Sequence, residues 1–123
     1  MNFRYFDATP DGEDNEMNCV TRAISVASGI PYFGVRKLLE MTSKEYDCEE
    51  LCVCCYHRLL EGILGYDVSY CRDGETVGDV ARRYRNNVLL IRIDGHLTCS
   101  LYGTIIDIWD CSVKKVDCFW ICR

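Results

Sequence analysis

The feature that most constrains the fold is a series of hydrophobic stretches in the last third of the chain, separated by short turn signals. Residues 88–109 contain three such stretches, interrupted by Asp94-Gly95 and by Tyr102-Gly103. Asp-Gly is a preferred dipeptide of two-residue hairpin turns, and hydrophobic stretches of this length are typical of β-strands. Residues 116–121 have the same character. This part of the chain is therefore predicted to form an antiparallel β-sheet.

The preceding part of the chain carries helical periodicity instead. Residues 19–28 repeat small and apolar side chains at helical spacing, with Asn18 as a suitable N-cap and Gly29 as a suitable stop. Three more helices are predicted, one beginning at Pro31, one from about Cys48 to Ile63 and a short one from about Thr76. Helices followed by antiparallel strands indicate an α+β fold, with the N-terminal helices packed on the C-terminal sheet. We expect residues 1–123 to form a single domain.

The length and charge of the chain limit the classes of protein to which it can belong. A chain of 123 residues has the usual size of one domain, and its net charge of −5 argues against nucleic-acid binding. The first residues lack the apolar segment of a signal peptide, and no stretch approaches the about 20 apolar residues that span a membrane. We therefore expect a cytoplasmic protein whose ten cysteines are mostly reduced.

The predicted hairpin brings two ionisable side chains together. With Tyr102-Gly103 as a two-residue turn, strands 96–101 and 104–109 pair so that His96 lies diagonal to Asp107. Diagonal residues are about 7–8 Å apart along the backbone, within reach of their side chains. We expect Asp107 to accept the Nδ1 proton of His96 and to orient the ring. The other face of the hairpin is aliphatic and is predicted to face the core.

Cys19 supplies a possible nucleophile for this pair. A cysteine at a helix N-terminus has a lowered pKa because the helix dipole and free N–H groups favour the thiolate. The backbone N–H of Cys19 also points towards the space of a developing oxyanion. Each residue has a structural alternative: Cys19 as a small buried side chain, and His96 as a solvent-exposed hairpin residue. Asp110 falls on the opposite face of the hairpin and is a weaker candidate than Asp107.

Together these segments resemble the papain-like cysteine peptidases. The segment Asn18-Cys19-Val20-Thr21-Arg22-Ala23-Ile24-Ser25 is similar to the nucleophile helix of that family, and Gly95-His96-Leu97 to its histidine strand. The family's next strand carries Asn or Asp followed two residues later by tryptophan, as in Asp107-Ile108-Trp109-Asp110. More narrowly, the pattern resembles small, mostly uncharacterised papain-like proteins of bacteria and their phages.

The resemblance implies a role for each matched residue. Cys19 would be the nucleophile, His96 the general base and acid, and Asp107 the carboxylate that orients the histidine. Trp109 would shield the His96–Asp107 contact from water. The first segment is also similar to the nucleophile motif of ovarian-tumour-type deubiquitinases, although the Asp-x-Trp pattern favours the papain-like family. An isopeptidase acting on a ubiquitin-like tail is therefore a second possibility.

One position departs from the family pattern. Papain-like enzymes usually place a glutamine about six residues before the cysteine to complete the oxyanion hole, whereas this chain has Glu13. An anion there would repel the developing charge, so Asn15 and Asn18 are the substitute candidates. Arg22, one helical turn beyond Cys19, is a candidate to bind a substrate carboxylate, with a surface salt bridge as the alternative.

A second group of cysteines lies between residues 48 and 55. On a continuous helix, Cys48, Cys52 and Cys55 would share one face with Leu59, which is the spacing of a buried stripe. A zinc site usually needs two ligand pairs, and the chain has no matching second pair downstream. We therefore expect these cysteines to be structural and the protein to need no metal and no cofactor.

The sequence thus predicts a thiol hydrolase, specifically a cysteine peptidase or isopeptidase with a Cys-His-Asp catalytic triad and an acyl-enzyme intermediate. Its expected partner is a peptide or protein substrate, and we expect no membrane and no nucleic acid. The first alternative is a catalytically weak or inactive papain-like protein that acts by binding, such as a phage-encoded inhibitor. A zinc-dependent interaction module is the third possibility.

Overall fold

A computed structural model of the protein describes residues 2–13 and 18–123. These residues form an α+β fold with four α-helices and a six-stranded mixed sheet. In chain order the elements are β1 (Phe3–Tyr5), α1 (Cys19–Ser28), α2 (Tyr32–Tyr46), α3 (Val53–Arg58), β2 (Asp67–Ser69), α4 (Val77–Arg83), β3 (Val88–Ile93), β4 (His96–Leu101), β5 (Thr104–Asp107) and β6 (Cys118–Ile121). None of the helices within these ranges is long and apolar enough to cross a membrane.

The sheet is only partly the one that the sequence predicts. Its strand order is β1-β5-β4-β3-β6-β2, and the pairs among β3, β4, β5 and β6 are antiparallel. The prediction of a purely antiparallel, C-terminal sheet is wrong, because β1 pairs in parallel with β5 and β2 pairs with β6 from the middle of the chain. Each of these edge strands has three residues, which is too short for an alternating pattern to stand out.

The register of the central hairpin agrees with the prediction. Leu101 pairs with Thr104, so Tyr102 and Gly103 form the turn, both with positive φ. Strand β5 ends at Asp107, two residues earlier than expected, and Trp109 lies beyond it. The hairpin is buried on both faces rather than one, because α1 covers the face of Leu97 and α4 lies on the other.

Helix α1 has the predicted ends. It runs from Cys19 to Ser28 and stops at Gly29, whose left-handed backbone (φ 79°) lets its N–H bond the Ser25 carbonyl. Its apolar face, including Val20 and the fully buried Ile24, packs on the sheet. This packing fixes the helix N-terminus against the beginning of β4.

The predicted helix over residues 48–63 is wrong in its first part. Helix α2 ends at Tyr46 and is capped by Asp47, which adopts a left-handed backbone with a φ of 52°. Residues 48–52 form turns instead of a helix. The helix begins at Val53 and continues as a π-helical turn over Leu59–Ile63. Cysteine spacing alone did not reveal that the chain reverses direction between the two helices.

Candidate active site

The start of α1 and the start of β4 bring Cys19 and His96 together. Both residues line one cavity, and the His96 side chain and the backbone N–H of Leu97 act on the Cys19 thiol so as to lower its pKa, against the opposing effect of burial. That N–H is available because the pairing of β4 with β5 extends only as far as Cys99, opposite Ile106. A short β5 therefore leaves a strand donor for the thiol.

Asp107 holds the other side of the His96 ring. Its Oδ2 lies 2.7 Å from Nε2 of His96, and the two side chains are only 5% and 10% exposed. The contact uses Nε2, so the expectation of an Nδ1 contact is wrong, and Nδ1 is the ring nitrogen that Asp107 leaves unoccupied. The second carboxylate oxygen accepts the Ile108 N–H at 2.7 Å. Both oxygens of Asp107 thus have fixed donors.

The three side chains favour charged forms. Burial alone would lower the pKa of His96, but hydrogen bonds to Asp107, Cys111 and Cys19 raise it to about 11. Burial opposes ionisation of Cys19, yet His96, the Leu97 N–H and the Arg22 charge lower the pKa of its thiol. The pKa of Asp107 is lowered by His96 despite its burial. The cysteine and histidine therefore favour a thiolate–imidazolium pair.

Trp109 lies against the imidazole of His96. Its ring centroid is 5.0 Å from that of His96 at an interplanar angle of 48°. The residue remains 39% exposed, so the ring contacts the histidine and is still partly open to solvent. Asp110 is exposed and its Oδ1 accepts the Ser112 N–H, so it is Asp107 that contacts the imidazole.

The residues predicted at the oxyanion hole do not offer a free side-chain donor where the structure describes them. Asn18 is buried, and its amide donates to the hydroxyl of Tyr32 at 2.9 Å and to that of Thr9 at 3.3 Å. Its side chain makes no cap hydrogen bond to α1, and with both amide hydrogens engaged it does not fit the role of an oxyanion donor. Glu13 forms an ion pair with Arg36 of α2 at 3.4 Å. Asn15 lies outside the described residues.

Arg22 is placed inside the protein rather than at the surface. It is only 6% exposed, and its guanidinium donates to Oδ1 of Asn18. This burial does not suit an open contact with a substrate carboxylate or a surface salt bridge. Its charge instead lowers the pKa of the Cys19 thiol, which makes it part of the electrostatic setting of the nucleophile.

Cys111 belongs to the site although sequence reasoning missed it. It is fully buried, its Sγ lies 3.9 Å from Oδ2 of Asp107, and it lies within 4.8 Å of a ring nitrogen of His96. It follows the end of β5 by four residues, in a segment with no helical or alternating pattern. Only the Asp-x-Trp-Asp motif just before it could have pointed to this stretch.

A cavity of about 210 Å³ opens beside Cys19 and His96. Its other walls come from α1, from α3 and the turn before it, and from the end of β3 with the following turn, through Val20, Leu51, Val53, Tyr56, Ile93 and Gly95. Most of this lining is apolar. An extended chain that placed a carbonyl over Cys19 would therefore have room for one apolar side chain next to it.

The chain matches no protein-family model, no curated protein and no solved structure. What the site can do chemically follows from its own groups. A thiol with a lowered pKa stands beside a protonated imidazole, and a carboxylate fixes that imidazole from behind. Such an arrangement suits nucleophilic attack by sulfur followed by proton donation to a leaving group.

Proposed function

We propose that the protein is a thiol hydrolase of papain-like fold, acting as a cysteine peptidase or isopeptidase. The observation that carries the proposal is that Cys19 shares a cavity wall with His96, whose Nε2 lies 2.7 Å from Oδ2 of Asp107 and whose ring packs against Trp109. The helix that presents the cysteine packs on the strands that present the histidine and the aspartate, as the papain-like pattern requires. No metal or cofactor takes part in this chemistry.

In the proposed reaction, Sγ of Cys19 attacks the carbonyl carbon and a carbon–sulfur bond forms. The imidazolium of His96 gives its Nδ1 proton to the leaving amine as the carbon–nitrogen bond breaks, which leaves an acyl-enzyme. Neutral His96 then takes a proton from water, whose oxygen attacks the acyl carbon and expels the thiolate. Asp107 stays ionised throughout and stabilises the imidazolium.

The oxyanion would be held mainly by the backbone N–H of Cys19. The first N–H groups of a helix have no partner within it, and they lie at the positive end of its dipole. Removing one oxyanion donor from a hydrolase costs about 10²–10³ in kcat. Because Asn18 is engaged with Tyr32 and Thr9, we expect slower turnover than a site with a second donor would give.

The apolar cavity indicates the class of substrate. Val20, Leu51, Val53 and Tyr56 line the space next to Cys19. We expect an extended peptide segment with an aliphatic or aromatic residue beside the scissile carbonyl, because burying such a side chain contributes about 1.5–3 kcal/mol. A charged residue at that position would be left without a partner.

Thiol reactivity tests the nucleophile first. Iodoacetamide at about pH 6, followed by peptide mapping, should modify Cys19 well before Cys54, although Cys54 is the more exposed. Burial opposes ionisation of Cys52, but hydrogen bonds from Cys54 and backbone N–H groups lower its pKa, so Cys52 serves as the internal reference in reduced, metal-free protein. His96→Ala should slow modification of Cys19 and leave the rate at Cys52 unchanged. Equal rates at Cys19 in both proteins would contradict the proposal.

Hydrolysis is tested with a mixed peptide library and detection of new N-termini by mass spectrometry. The wild type should generate cleavage products with an apolar residue near the cut, and Cys19→Ala should generate none. Cys122→Ala is the matched control, because that half-buried thiol lies at the far end of β6. Products that persist in Cys19→Ala would overturn the assignment. Products found only with isopeptide-linked substrates would favour the isopeptidase.

A second candidate is a papain-like binding protein with little or no turnover. The engagement of Asn18 and the pairing of Glu13 with Arg36 favour it, since neither described side chain offers an oxyanion an N–H. This candidate predicts that Cys19 is alkylated readily while the peptide library stays intact. A captured peptide that protects Cys19 from alkylation would then support binding in place of hydrolysis.

A further inference from the structure

Three cysteine thiols converge where α2 turns into α3. The sulfur atoms of Cys48, Cys52 and Cys54 all lie within 4.8 Å of one another, and those of Cys52 and Cys54 are 3.0 Å apart. Cys54 is exposed and the other two are half-buried. A metal ion bound through sulfur at about 2.3 Å needs ligand atoms at such mutual distances.

The backbone builds this convergence. Cys48 follows the left-handed Asp47, and its N–H bonds the Ser43 carbonyl, while the Cys52 N–H bonds that of Glu49. These two turns fold residues 48–52 back onto the start of α3. The spacing argument against a metal assumed one continuous helix through this segment, and that helix does not form before Val53.

The start of α3 holds Cys52 in place. The backbone N–H groups of Cys55 and Tyr56 both donate to the Cys52 carbonyl, each at 3.2 Å. These hydrogen bonds fix the backbone that carries the Cys52 thiol, whose sulfur lies 3.0 Å from that of Cys54.

Glu49 and Glu50 lie in the same segment as the three cysteines and add negative charge to it. A cation bound to the cluster would offset this charge and would stabilise every thiolate that coordinates it.

We propose that Cys48, Cys52 and Cys54 form a binding site for a zinc ion. Soft thiolate ligands select zinc over magnesium or calcium, and tetrahedral coordination leaves a fourth position. Cys55, the residue after Cys54, is a protein candidate for that position, although its thiol now donates to the Leu39 carbonyl at 3.6 Å. A water molecule is the alternative fourth ligand.

A zinc ion bound at this site would also affect the wall of the cavity beside Cys19. Leu51 and Val53 lie between the zinc ligands in sequence and form part of that cavity wall. A bound ion would fix the turns of residues 48–52 and so fix these two side chains. This consequence rests on the proposed function, whereas the zinc site itself does not.

The test is a titration of reduced, metal-free protein with cobalt(II), followed by displacement with zinc. Wild type should bind about one equivalent and show a thiolate-to-cobalt charge-transfer band that zinc abolishes. Cys48→Ser and Cys54→Ser should each weaken binding by at least the about 10–100-fold typical of losing an outer-shell partner. Cys71→Ser and Cys122→Ser are the matched controls and should bind as wild type does.

Two outcomes would overturn the proposal. His96, Asp107 and Cys111 also place ligand atoms within 4.8 Å of one another. Cobalt binding that is lost in Cys111→Ser and kept in Cys54→Ser would assign the ion to that cluster. Absence of the charge-transfer band in fully reduced wild type would exclude the cysteine site. Neither result depends on whether Cys19 hydrolyses a peptide, so the two proposals fail separately.

Discussion

Nε2 of His96 lies 2.7 Å from Oδ2 of Asp107, across a hairpin whose two-residue turn sets the register. The two residues are eleven positions apart in sequence and come from neighbouring strands. A shift of the register by one residue would move Asp107 to the opposite face and break the contact. The two-residue turn at Tyr102 and Gly103 therefore determines that His96 and Asp107 meet.

Asp107→Asn should change the pKa of His96 and the pH dependence of Cys19 alkylation. The aspartate helps to raise the pKa of His96 to about 11, so its loss should move that pKa down towards the ordinary value of 6.5. Less imidazolium means less stabilisation of the thiolate, so the rate of Cys19 alkylation should begin to rise at higher pH. NMR titration of His96 and a pH series of alkylation rates measure the two shifts. Superimposable profiles would contradict the role of Asp107.

The same pair should make folding stability depend on pH. A raised pKa in the folded state stabilises the protein fully below the unfolded value of 6.5, and this contribution is lost as the pH rises through about 11. Wild type should therefore lose more unfolding free energy than His96→Ala between neutral and alkaline pH. Urea unfolding at several pH values measures the difference. Parallel losses in the two proteins would argue against the ion pair.

Trp109→Ala should lower the reactivity of Cys19 more than it lowers the stability of the fold. The ring is 39% exposed, so its removal should cost about 1 kcal/mol of unfolding free energy. Water would then reach the His96–Asp107 contact and weaken it, because electrostatic interactions fall as the local dielectric constant rises. We expect slower alkylation of Cys19, with Trp109→Phe keeping most of the wild-type rate. Rates unchanged in Trp109→Ala would exclude a shielding role.

Asn18→Ala distinguishes a structural asparagine from an oxyanion donor. The buried amide connects Tyr32 and Thr9 to Arg22, so we expect a loss of about 1–3 kcal/mol in unfolding free energy. Tyr32→Phe removes one of these partners and should cost less. Chemical denaturation measures both. If Asn18→Ala were as stable as the wild type but lost acyl-transfer activity, Asn18 would instead be an oxyanion donor.

Ile24→Ala tests the packing that positions α1. Ile24 is fully buried against the sheet, and truncation of such a residue costs about 2–5 kcal/mol. Val26→Ala, at a half-buried position of the same helix, should cost about 1 kcal/mol. Cys19 reactivity of the remaining folded protein should fall in Ile24→Ala, because the helix N-terminus is held through this face. Thermal unfolding and alkylation are measured in parallel.

Local sequence determined the elements that carry the candidate site. The ends of α1 follow from apolar spacing and from Gly29, whose backbone freedom allows the left-handed stop. The pairing of Leu101 with Thr104 follows from a two-residue turn. Period and turn chemistry act over a few residues, so they can be seen in the sequence, and they were enough to bring His96 and Asp107 within reach of each other.

Only the tertiary structure decided what surrounds these elements. It placed β1 beside β5 and enclosed Arg22, through contacts between distant segments that leave no periodic trace. It also turned the irregular segment after β5 so that Cys111 lies against Asp107. In the tertiary structure residues 48–52 also form turns instead of the expected helix, and these turns bring the thiols of Cys48, Cys52 and Cys54 close together. Short strands and turns gain their stability from the surfaces that cover them, so their conformation is set by packing and not by their own residues.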